Sequence, residues 1–443
     1  MKRRALLINP GHNIALRNEM YPTGALTLLK AVSREEGWQA DIIQCVSDRI
    51  DHDGVVDQIQ MVQPSIVGLS VTTFQTKPTK QLTRKIKTKF PDILIVAGGA
   101  HISSIGEGAL TEFPDVDCFV SGEGEHAWRS ILQFPPTHRC IIQGTIVDLD
   151  QTPLPDYAGI DFDKYFGSLP PSAKPAMYLM ASRGCPFQCV FCSKCVYGSQ
   201  VRYKSPETVM MELRQFRRMG MKEIFFQDDT LNLNHSWFNE ILDRILFEKL
   251  DLAFKASFRA NAKLVTPELL AKAKKAGFWL IFYGVESGNQ EMLDRMHKGL
   301  KVDEIARAFS LTHAAGVKTE ASFIIGLPWE TEETIEDSWR FYQRLKPFWA
   351  GFSIATPFPG TQFYLEAQRN DLIIEKDFDN FFPDRCVIRT YSMDNKSIGA
   401  AATLINQKIR VRNIRNLLFC PSRMRWAVRR YLDFRSTGAV AGD

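Results

Sequence analysis

The sequence predicts an α/β protein with a doubly wound parallel sheet at the N-terminus, a partial (β/α)6 barrel behind it and a helical C-terminal tail. Two observations lead to this fold class. Short, near-continuously apolar runs alternate with helical stretches over residues 3–133, which is typical of a parallel sheet buried on both faces. The alternation returns as six strand-and-helix units over residues 173–365. With 443 residues, the chain has room for two or three domains with ample cores.

The predicted strands of the N-terminal sheet are residues 5–9, 40–45, 66–72, 93–98 and 118–121. Ligands of doubly wound sheets bind beyond the carboxyl ends of the strands. Hydroxyl groups there can hydrogen-bond a polar ligand, and paired glycines let it lie against the backbone. These ends fall at residues 9–13, 70–73, 98–101 and 122–125, and the candidate binding residues within them are Ser70, Thr72, Thr73, Gly98, Gly99, His101, Gly122 and Glu123. The alternative is a sheet without a ligand that only shapes a neighbouring active site.

Residues 148–172 are rich in Pro, Asp and Gly with little periodicity, which predicts a connector that crosses the surface. The barrel strands are then expected at residues 176–182, 223–227, 254–259, 280–285, 320–326 and 351–356. Two of the following helices have clear starting signals, because Ser205 and Thr266 are each followed by a proline and a glutamate.

Polar residues follow the barrel strands at their carboxyl ends, where the chemistry of such barrels takes place. They are Asp228, Asp229, Arg259, Glu286 and Ser287, and the fifth strand is followed by the candidates Gly326 and Pro328. An arginine and a glutamate at neighbouring strand ends complement a ligand that carries both a carboxylate and an ammonium group. Two structural alternatives remain open: Asp228 and Asp229 cap the helix near His235, or Arg259 forms a buried ion pair with Asp228.

Three cysteines, Cys185, Cys189 and Cys192, follow the first barrel strand with the spacing C-x3-C-x2-C, and Phe191 directly precedes the third. Three thiolates on one loop can hold a four-iron cluster and leave one iron open to chelate a small molecule. The alternative is a structural zinc site with Cys195 as the fourth ligand. Zinc modules usually bring two separated cysteine pairs, so we expect Cys195 not to be a ligand.

The cysteine spacing with its aromatic residue resembles the signature of the radical S-adenosylmethionine (SAM) enzymes. Residues 326–330 resemble the element of that family whose backbone lies along the adenine. Residues 70–72, 98–99 and 122–125 resemble motifs of the cobalamin-binding domain that many radical SAM enzymes carry at the N-terminus. The resemblance covers about residues 1–365, and it is strongest around the cysteines.

This resemblance implies three cofactors. A [4Fe-4S] cluster would be bound by Cys185, Cys189 and Cys192. SAM would contact Phe191, Asp228, Arg259, Glu286, Ser287, Gly326 and Pro328, and cobalamin would contact the candidate residues of the N-terminal sheet. The implied domains are a cobalamin-binding Rossmann-like domain (1–147), a linker (148–172), a radical SAM core (173–365) and a helical C-terminal region with a basic tail (366–443).

One family motif is missing from the N-terminal region. The D-x-H-x-x-G motif, whose histidine is the lower cobalt ligand in many cobalamin proteins, does not occur in the sequence. The nearest substitutes are His12 and the pair Asp51 and His52, which have different flanking residues. We therefore expect cobalamin to bind base-off, with no protein nitrogen on its lower face.

The resemblance implies a methyltransferase that acts on an unactivated carbon or on phosphorus through a 5′-deoxyadenosyl radical and methylcobalamin. The alternatives are an anaerobic oxidative or ring-forming cyclase and a non-catalytic iron–sulfur scaffold or sensor. The expected partners are a small-molecule substrate, lipid-like or phosphorylated, and an external electron donor of the flavodoxin or ferredoxin type. We expect no nucleic-acid partner, and no individual catalytic residue is predicted.

The positive charge of the chain is concentrated near its C-terminus. The net charge is +5, and residues 408–435 carry nine Lys and Arg against one Asp. The basic run 423–431 predicts contact with anionic lipid at the inner membrane or with a phosphate-bearing substrate, and the alternative is a solvated helix face. Nine cysteines and a first apolar run too short for a signal peptide favour a cytoplasmic protein.

Overall fold

The computed structural model describes residues 3–11, 20–165, 167–168, 170, 173–382 and 384–418. Over these residues the chain forms two parallel sheets that are joined by the linker and followed by a long C-terminal helix. The predicted fold class, a doubly wound sheet before a partial barrel, is confirmed.

The N-terminal sheet is parallel throughout, and its strand order is β2-β1-β3-β4-β5-β6. Its strands are β1 (Arg4–Asn9), β2 (Gln39–Gln44), β3 (Ile66–Ser70), β4 (Leu94–Gly98), β5 (Cys118–Ser121) and β6 (Cys140–Gln143). The helices are α1 (Gly24–Glu35), α2 (Cys45–Asp48), α3 (His52–Val62), α4 (Thr76–Lys89), α5 (Ala100–Ile105), α6 (Gly108–Glu112) and α7 (Glu125–Gln133). Apolar clusters bury both faces of the sheet, and its switch point lies between β1 and β3.

Strand β6 is missing from the sequence-based prediction. Cys140 pairs with Cys118 and Gln143 with Ser121, so β6 extends the sheet beyond β5. The strand has only four residues and half-exposed side chains, because it lies at the edge of the sheet. A run this short carries too little apolar pattern to be recognised in the sequence.

The second sheet is a six-stranded parallel sheet, within the described residues, whose strand order follows the chain: β7, β10, β11, β12, β13, β14. The strands of this region are β7 (Ala176–Leu179), β8 (Ser182–Arg183), β9 (Arg202–Tyr203), β10 (Glu223–Phe226), β11 (Ala253–Phe258), β12 (Phe278–Glu286), β13 (Lys318–Ile325) and β14 (Trp349–Ile354). The helices are α8 (Pro206–Arg218), α9 (His235–Glu248), α10 (Pro267–Lys275), α11 (Gln290–Arg295), α12 (Val302–Ala314), α13 (Glu332–Leu345), α14 (Gln362–Arg369) and α15 (Asn395–Leu418). Because β7 does not pair with β14, the barrel is partial.

Helix caps explain where the first barrel helices begin. The Ser205 hydroxyl accepts from the Thr208 amide at 3.2 Å, and the Thr266 hydroxyl accepts from the Leu269 amide at 3.3 Å. Both helices then start with the proline that the sequence analysis picked out. Asn234, rather than Asp228 or Asp229, caps α9, because its side chain accepts from the Trp237 amide at 3.1 Å.

The first barrel strand is shorter than predicted. The parallel strand β7 ends at Leu179, and Ser182 and Arg183 instead form β8, which pairs antiparallel with β9. The predicted strand 176–182 is therefore divided between the barrel strand β7 and the hairpin strand β8. Apolar periodicity alone does not reveal this division, because both strands are buried.

The linker is partly buried, which corrects its prediction as a surface connector. Tyr157 packs in the barrel core and Tyr165 is also buried. Asp156 accepts a hydrogen bond from Arg34 of α1 at 2.5 Å, and Tyr165 accepts one from Gln44 of β2 at 2.6 Å. The linker therefore fills the space between the two sheets.

Helix α15 covers the free edge of β14 with asparagine side chains. Asn406 donates to the Phe352 carbonyl at 2.7 Å and accepts from the Phe352 amide at 3.0 Å. Asn413 makes the same pair of bonds to Ala350, at 2.9 and 3.3 Å. Asn416 donates to the Phe348 carbonyl at 2.8 Å. These bonds satisfy the edge groups that the partial barrel leaves unpaired.

No helix among the described residues combines the length and the apolar character needed to cross a lipid bilayer. The basic run 423–431 lies outside the described residues.

Candidate active site between the two sheets

The loop that carries the three cysteines begins and ends in the short hairpin of β8 and β9. Gly184 has a φ of +91°, and a Cβ at this position would lie 2.2 Å from the Gln200 carbonyl oxygen. Only glycine allows the two arms of the loop to approach so closely. The Cys185 amide then donates to Gly198 at 3.4 Å, which closes the base of the loop.

The three thiols occupy one neighbourhood at the end of the barrel. Burial, together with the charges of the nearby Cys189, Asp229 and Cys185, raises the pKa of the Cys192 thiol to about 11. Thiolates that repel one another in this way need a cationic partner to ionise together. Three soft sulfur ligands around such a partner fit an iron–sulfur cluster.

Cys195 faces the N-terminal domain. Its sulfur lies 3.2 Å from the Ser104 hydroxyl and 3.4 Å from the Ala100 carbonyl oxygen, both on α5. Among the described residues, no three His, Cys, Asp or Glu side chains converge in the manner of a mononuclear metal site. The predicted role of Cys195 as a non-ligand remains a prediction, and these contacts support it.

Arg259 at the end of β11 reaches into the cysteine loop. Its guanidinium lies 3.5 Å from the centroid of the Phe187 ring and donates to the Lys298 carbonyl. Burial lowers the pKa of Arg259, whereas the charge of Cys189 and a hydrogen bond to it act in the opposite direction. Arg259 therefore lies beside the cysteines rather than in an ion pair with Asp228, and its Nε has no hydrogen-bond partner among the described residues.

Glu286 is held in a strained conformation at the end of β12. Its φ is +65°, in the left-handed region that non-glycine residues rarely adopt. The carboxylate accepts from Lys298 at 2.6 Å, and both side chains are about nine-tenths buried. A Cβ on Gly284 would lie 2.3 Å from Glu286 Oε1, so this glycine makes room for the carboxylate. Lys298 was not predicted from the sequence, because no motif singles it out.

Asp228 is a buried carboxylate, and only one of its two oxygens accepts a hydrogen bond from another side chain. Oδ1 accepts from the Ser182 hydroxyl at 2.5 Å, whereas Oδ2 has no hydrogen-bond partner among the described residues. Burial raises the pKa of Asp228 to about 7, against the opposing effect of the Ser182 hydroxyl and the backbone amides of Ala181 and Ser182. A buried oxygen without a partner is costly, so a donor from a ligand would stabilise the site.

The remaining SAM candidates lie on loops that are fixed by hydrogen bonds. Gly326 has a φ of +92° and donates from its amide to Glu330 at 3.2 Å. The carbonyl of Pro328 accepts from the Tyr391 amide at 2.9 Å, so the C-terminal region braces this loop. The Ser287 hydroxyl pairs with Ser338 at 3.2 Å. Phe191 is half-buried against the barrel core.

A cavity of about 180 Å³ lies against the N-terminal sheet. It runs between one face of the sheet and helices α1 and α7, and it reaches the barrel at Tyr178 and Arg183. Of the cobalamin candidates, Ser70, Gly98, Gly99, Gly122 and Glu123 line this cavity. A Cβ on Gly99 would lie 2.8 Å from the Val71 carbonyl oxygen, so the sheet itself requires glycine there. Glycines at the strand ends and the aromatic side chains of Trp128, Tyr157 and Tyr178 line the cavity, a mixture that is typical of ligand pockets.

Other cobalamin candidates have structural contacts of their own. Thr72 forms a capping box with Gln75. The His101 ring is fully buried, with its nitrogens 3.3 Å from the side chains of Thr73, Thr76 and Glu112. Contact between His101 and a ligand would therefore involve the backbone.

Asp51 and His52, two of the nearest substitutes for the missing lower-ligand motif, lie at the start of α3. Asp51 caps α3, because its side chain accepts from the Gly54 amide at 2.8 Å. Burial lowers the pKa of His52 at the start of that helix. His12 lies outside the described residues. The base-off binding of cobalamin remains a prediction.

Sequence comparisons identify both halves of the chain. Residues 179–342 match the family model of the radical SAM superfamily, and residues 13–132 match that of the B12 binding domain. The first segment contains the cysteine loop and the strand ends at Asp228, Arg259 and Glu286, and the second contains strands β2 to β5 with most of the cobalamin candidates' cavity wall. The geometry and the matches together define a radical SAM enzyme that carries [4Fe-4S], SAM and cobalamin.

An "uncharacterized methyltransferase" of Pyrococcus horikoshii is 31% identical over 402 residues, which are 85% of this chain and 86% of that protein. The chain belongs to the family of radical SAM enzymes with a B12-binding domain. An anaerobic magnesium-protoporphyrin IX monomethyl ester cyclase of Rubrivivax gelatinosus is 26% identical, covering 78% of this chain and 66% of the cyclase. The structure of the radical SAM methyltransferase TsrM of Kitasatospora setae has the same fold, with a TM-score of 0.69 at 16% identity over 83% and 76% of the two chains.

Cysteine substitutions distinguish a cluster from a zinc site. Cys185→Ser, Cys189→Ser and Cys192→Ser should each lose most of the bound iron after anaerobic reconstitution, because each removes a ligand. Cys195→Ser should keep about four irons per chain, since its sulfur contacts α5 instead. Iron, sulfide and zinc analysis measures this. Binding of one zinc that all four variants abolish would contradict the assignment.

The buried carboxyl of Asp228 should make the stability of the protein depend on pH. Its raised pKa, about 7, favours the neutral folded form, so this contribution to stability is present at low pH and lost as the pH rises through about 7. Relative to wild type, Asp228→Asn should gain about 2–3 kcal/mol between pH 5 and pH 8 and level off above that. Thermal unfolding without SAM measures the difference. Asp251→Asn, at an exposed residue, is the control, and a difference that is constant with pH would contradict the prediction.

Proposed function

We propose that this enzyme is a methyltransferase that transfers a methyl group to an unactivated carbon, or to phosphorus, of a small molecule. The observation that carries the proposal is the placement of the cysteine loop directly against the strand ends of the B12-binding domain. When bound, the cluster and SAM supply the radical that activates the substrate, and cobalamin supplies the methyl group. The Pyrococcus horikoshii relative, named a methyltransferase, supports this choice.

The protein residues divide the work of binding and shielding. We propose that Arg259, which lies beside the cysteines, binds the carboxylate of SAM, and that Glu286, at the neighbouring strand end and paired with Lys298, binds the ammonium group. Asp228 accepts a hydrogen bond from a hydroxyl of SAM through its unpartnered Oδ2. We propose that the adenosyl part of SAM contacts Phe191, Ser287, Gly326 and Pro328. The loops that carry these residues are fixed by hydrogen bonds.

The partial barrel offers space for the substrate. A Cβ added to Gly351, in the middle of β14, would meet no atom within 4 Å among the described residues. On the same strand, alternate side chains are half-exposed while those between them are buried, so one face of β14 borders an open interior. We propose that the substrate binds in this interior, facing the cavity of the N-terminal domain.

We propose that residues 1–147 hold cobalamin, with the linker 148–172, the radical SAM core 173–365 and the C-terminal region 366–443 as separate units of function. Ser70, Gly98, Gly99 and Gly122 would contact cobalamin through the cavity they line. Thr72, Thr73 and His101 would contribute through their backbone or by shaping the loop. An external donor of the flavodoxin or ferredoxin type would reduce the cluster.

A cyclase is the second candidate, because the Rubrivivax gelatinosus cyclase aligns with 78% of this chain. Anaerobically reconstituted enzyme with hydroxocobalamin, a reductant and trideuteromethyl-SAM separates the possibilities, using cell extract as the substrate source. A methyltransferase should yield 5′-deoxyadenosine, S-adenosylhomocysteine and products heavier by the labelled methyl group. Cys189→Ser should abolish the 5′-deoxyadenosine. Release of 5′-deoxyadenosine without methylated product would favour the cyclase. If neither 5′-deoxyadenosine nor methylated product forms, a non-catalytic scaffold or sensor is favoured.

We further propose that the outer face of α15 contacts anionic lipid. The exposed side chains of Leu404, Val411 and Ile414 form an apolar stripe, flanked by the exposed Lys408 and Arg415. The helix contains no acidic residue. A basic, acid-free helix with an apolar stripe complements a negatively charged membrane surface.

Vesicle flotation tests this contact. Val411→Glu with Leu404→Glu should lower binding to vesicles that contain phosphatidylglycerol by about tenfold, because it buries charge in the lipid interface. Phe247→Glu, at an exposed residue of α9, is the matched control and should bind like wild type. A chain ending at residue 418 separates the helix from the basic residues behind it. Equal binding to vesicles of phosphatidylcholine alone would contradict the proposal.

A further inference from the structure

Four charged side chains form a continuous network across the boundary between the two sheets. Arg183 of β8 pairs through one nitrogen with Glu123 at 2.7 Å and through the other with Glu125 at 2.7 Å. Arg202 of β9 pairs with the second oxygen of Glu123 and donates to the Val147 carbonyl at 2.8 Å. The two carboxylates belong to the N-terminal domain, and the two guanidinium groups form the stem of the cysteine loop.

The network is buried, and its ion pairs require the two domains to keep a fixed relative position. The four side chains are between 2% and 13% exposed, whereas the surface pair Arg244 and Glu240 is 37% and 53% exposed. Buried charges are tolerated only where each has a well-placed partner. Any relative shift of the two domains would separate these partners, so the network permits one docked arrangement.

The charged residues on both sides of the network are directly connected to the proposed cofactor-binding loops. Arg183 directly precedes Gly184, whose close approach to Gln200 leaves no room for a side chain, and Cys185 follows. On the other side, Glu123 follows Gly122 of the cavity, and a Cβ on Gly144 would lie 2.0 Å from the Glu123 carbonyl oxygen. A displacement of either arm is therefore passed on to the cysteines or to the cavity.

A second contact fixes the far side of the same loop. Cys195 lies within hydrogen-bond distance of Ser104 and Ala100 on α5, as described above. The turn at Gly360 also approaches α5, because a Cβ there would lie 3.3 Å from the Ser104 Cβ. Two separate contacts restrain rotation of the cysteine loop as well as its translation.

We propose that Glu123 and Glu125 are positioning residues that fix the distance between the iron–sulfur loop and the B12-binding domain. Glu123 pairs with both Arg183 and Arg202, and Glu125 pairs with Arg183, so both carboxylates take part in the contact between the domains. The proposal rests on the cofactors of the family, and only its product measurement rests on the proposed methyl transfer.

The test compares Glu125→Gln with Arg129→Gln in fully reconstituted enzyme. Arg129 lies on the same helix but pairs with Glu35 and Glu36 inside the N-terminal domain, so its loss leaves the boundary intact. Iron content, cobalamin content and the melting temperature are measured first. The magnetic interaction between Co(II) cobalamin and the reduced cluster is then measured by electron paramagnetic resonance power saturation, together with the ratio of methylated product to 5′-deoxyadenosine.

Glu125→Gln should keep both cofactors, weaken the magnetic interaction, and lower the product ratio by about tenfold or more, because misplaced reactants lose their alignment. Arg129→Gln should match wild type in both measurements. If Glu125→Gln does not fold, Glu125→Asp keeps the charge and should show the same changes, smaller in size. An unchanged magnetic interaction would overturn the proposal, as would loss of cobalamin with a normal interaction in the loaded fraction. A weakened interaction without any methylated product from wild type would contradict only the methyl transfer.

Discussion

The structure depends on one constraint: two parallel sheets must present their carboxyl ends to one another across a fixed gap. Each sheet concentrates its binding residues at those ends, so neither domain is complete as a site by itself. The linker fills the gap with Tyr157 and Tyr165, and the paired charges of Glu123 and Arg183 lock it. Domain interfaces within a chain are usually mobile, and here buried ion pairs oppose that motion.

Several buried groups at the barrel strand ends and on the cysteine loop have raised pKa values. Asp228 and Glu330 both have a pKa raised to about 7 by burial, and Cys192 has its thiol pKa raised to about 11. Without cofactors each of these groups is held in an environment that disfavours its ionised form. Binding partners that carry positive charge or donate hydrogen bonds reverse that preference, so site occupancy and protein stability are linked.

Local sequence patterns predicted the larger part of the fold. The strand ends at Asp228, Arg259 and Glu286 were located because parallel barrels place polar residues after apolar strands. The hairpin of β8 and β9 and the edge strand β6 were missed, since two to four residues carry no periodicity. Lys298 and Arg202 were missed because their importance comes from partners distant in the chain, Glu286 and Glu123. Arg183 had a visible signal, because it is a cation between an apolar run and the first cysteine of the loop.

The asparagine side chains of α15 hydrogen-bond to the edge of the sheet in the place of a neighbouring strand. The ten steps from Asn406 to Asn416 rise about 15 Å along the helix, and the four steps from Phe348 to Phe352 span about 13 Å along the strand. The two spacings agree closely enough for short carboxamides to meet the backbone of every second residue of the strand. One inserted or deleted residue between them would rotate the later amides by about 100° away from the sheet. The closure of this edge of the barrel therefore depends on the number of residues between Asn406 and Asn416 as well as on the asparagines themselves.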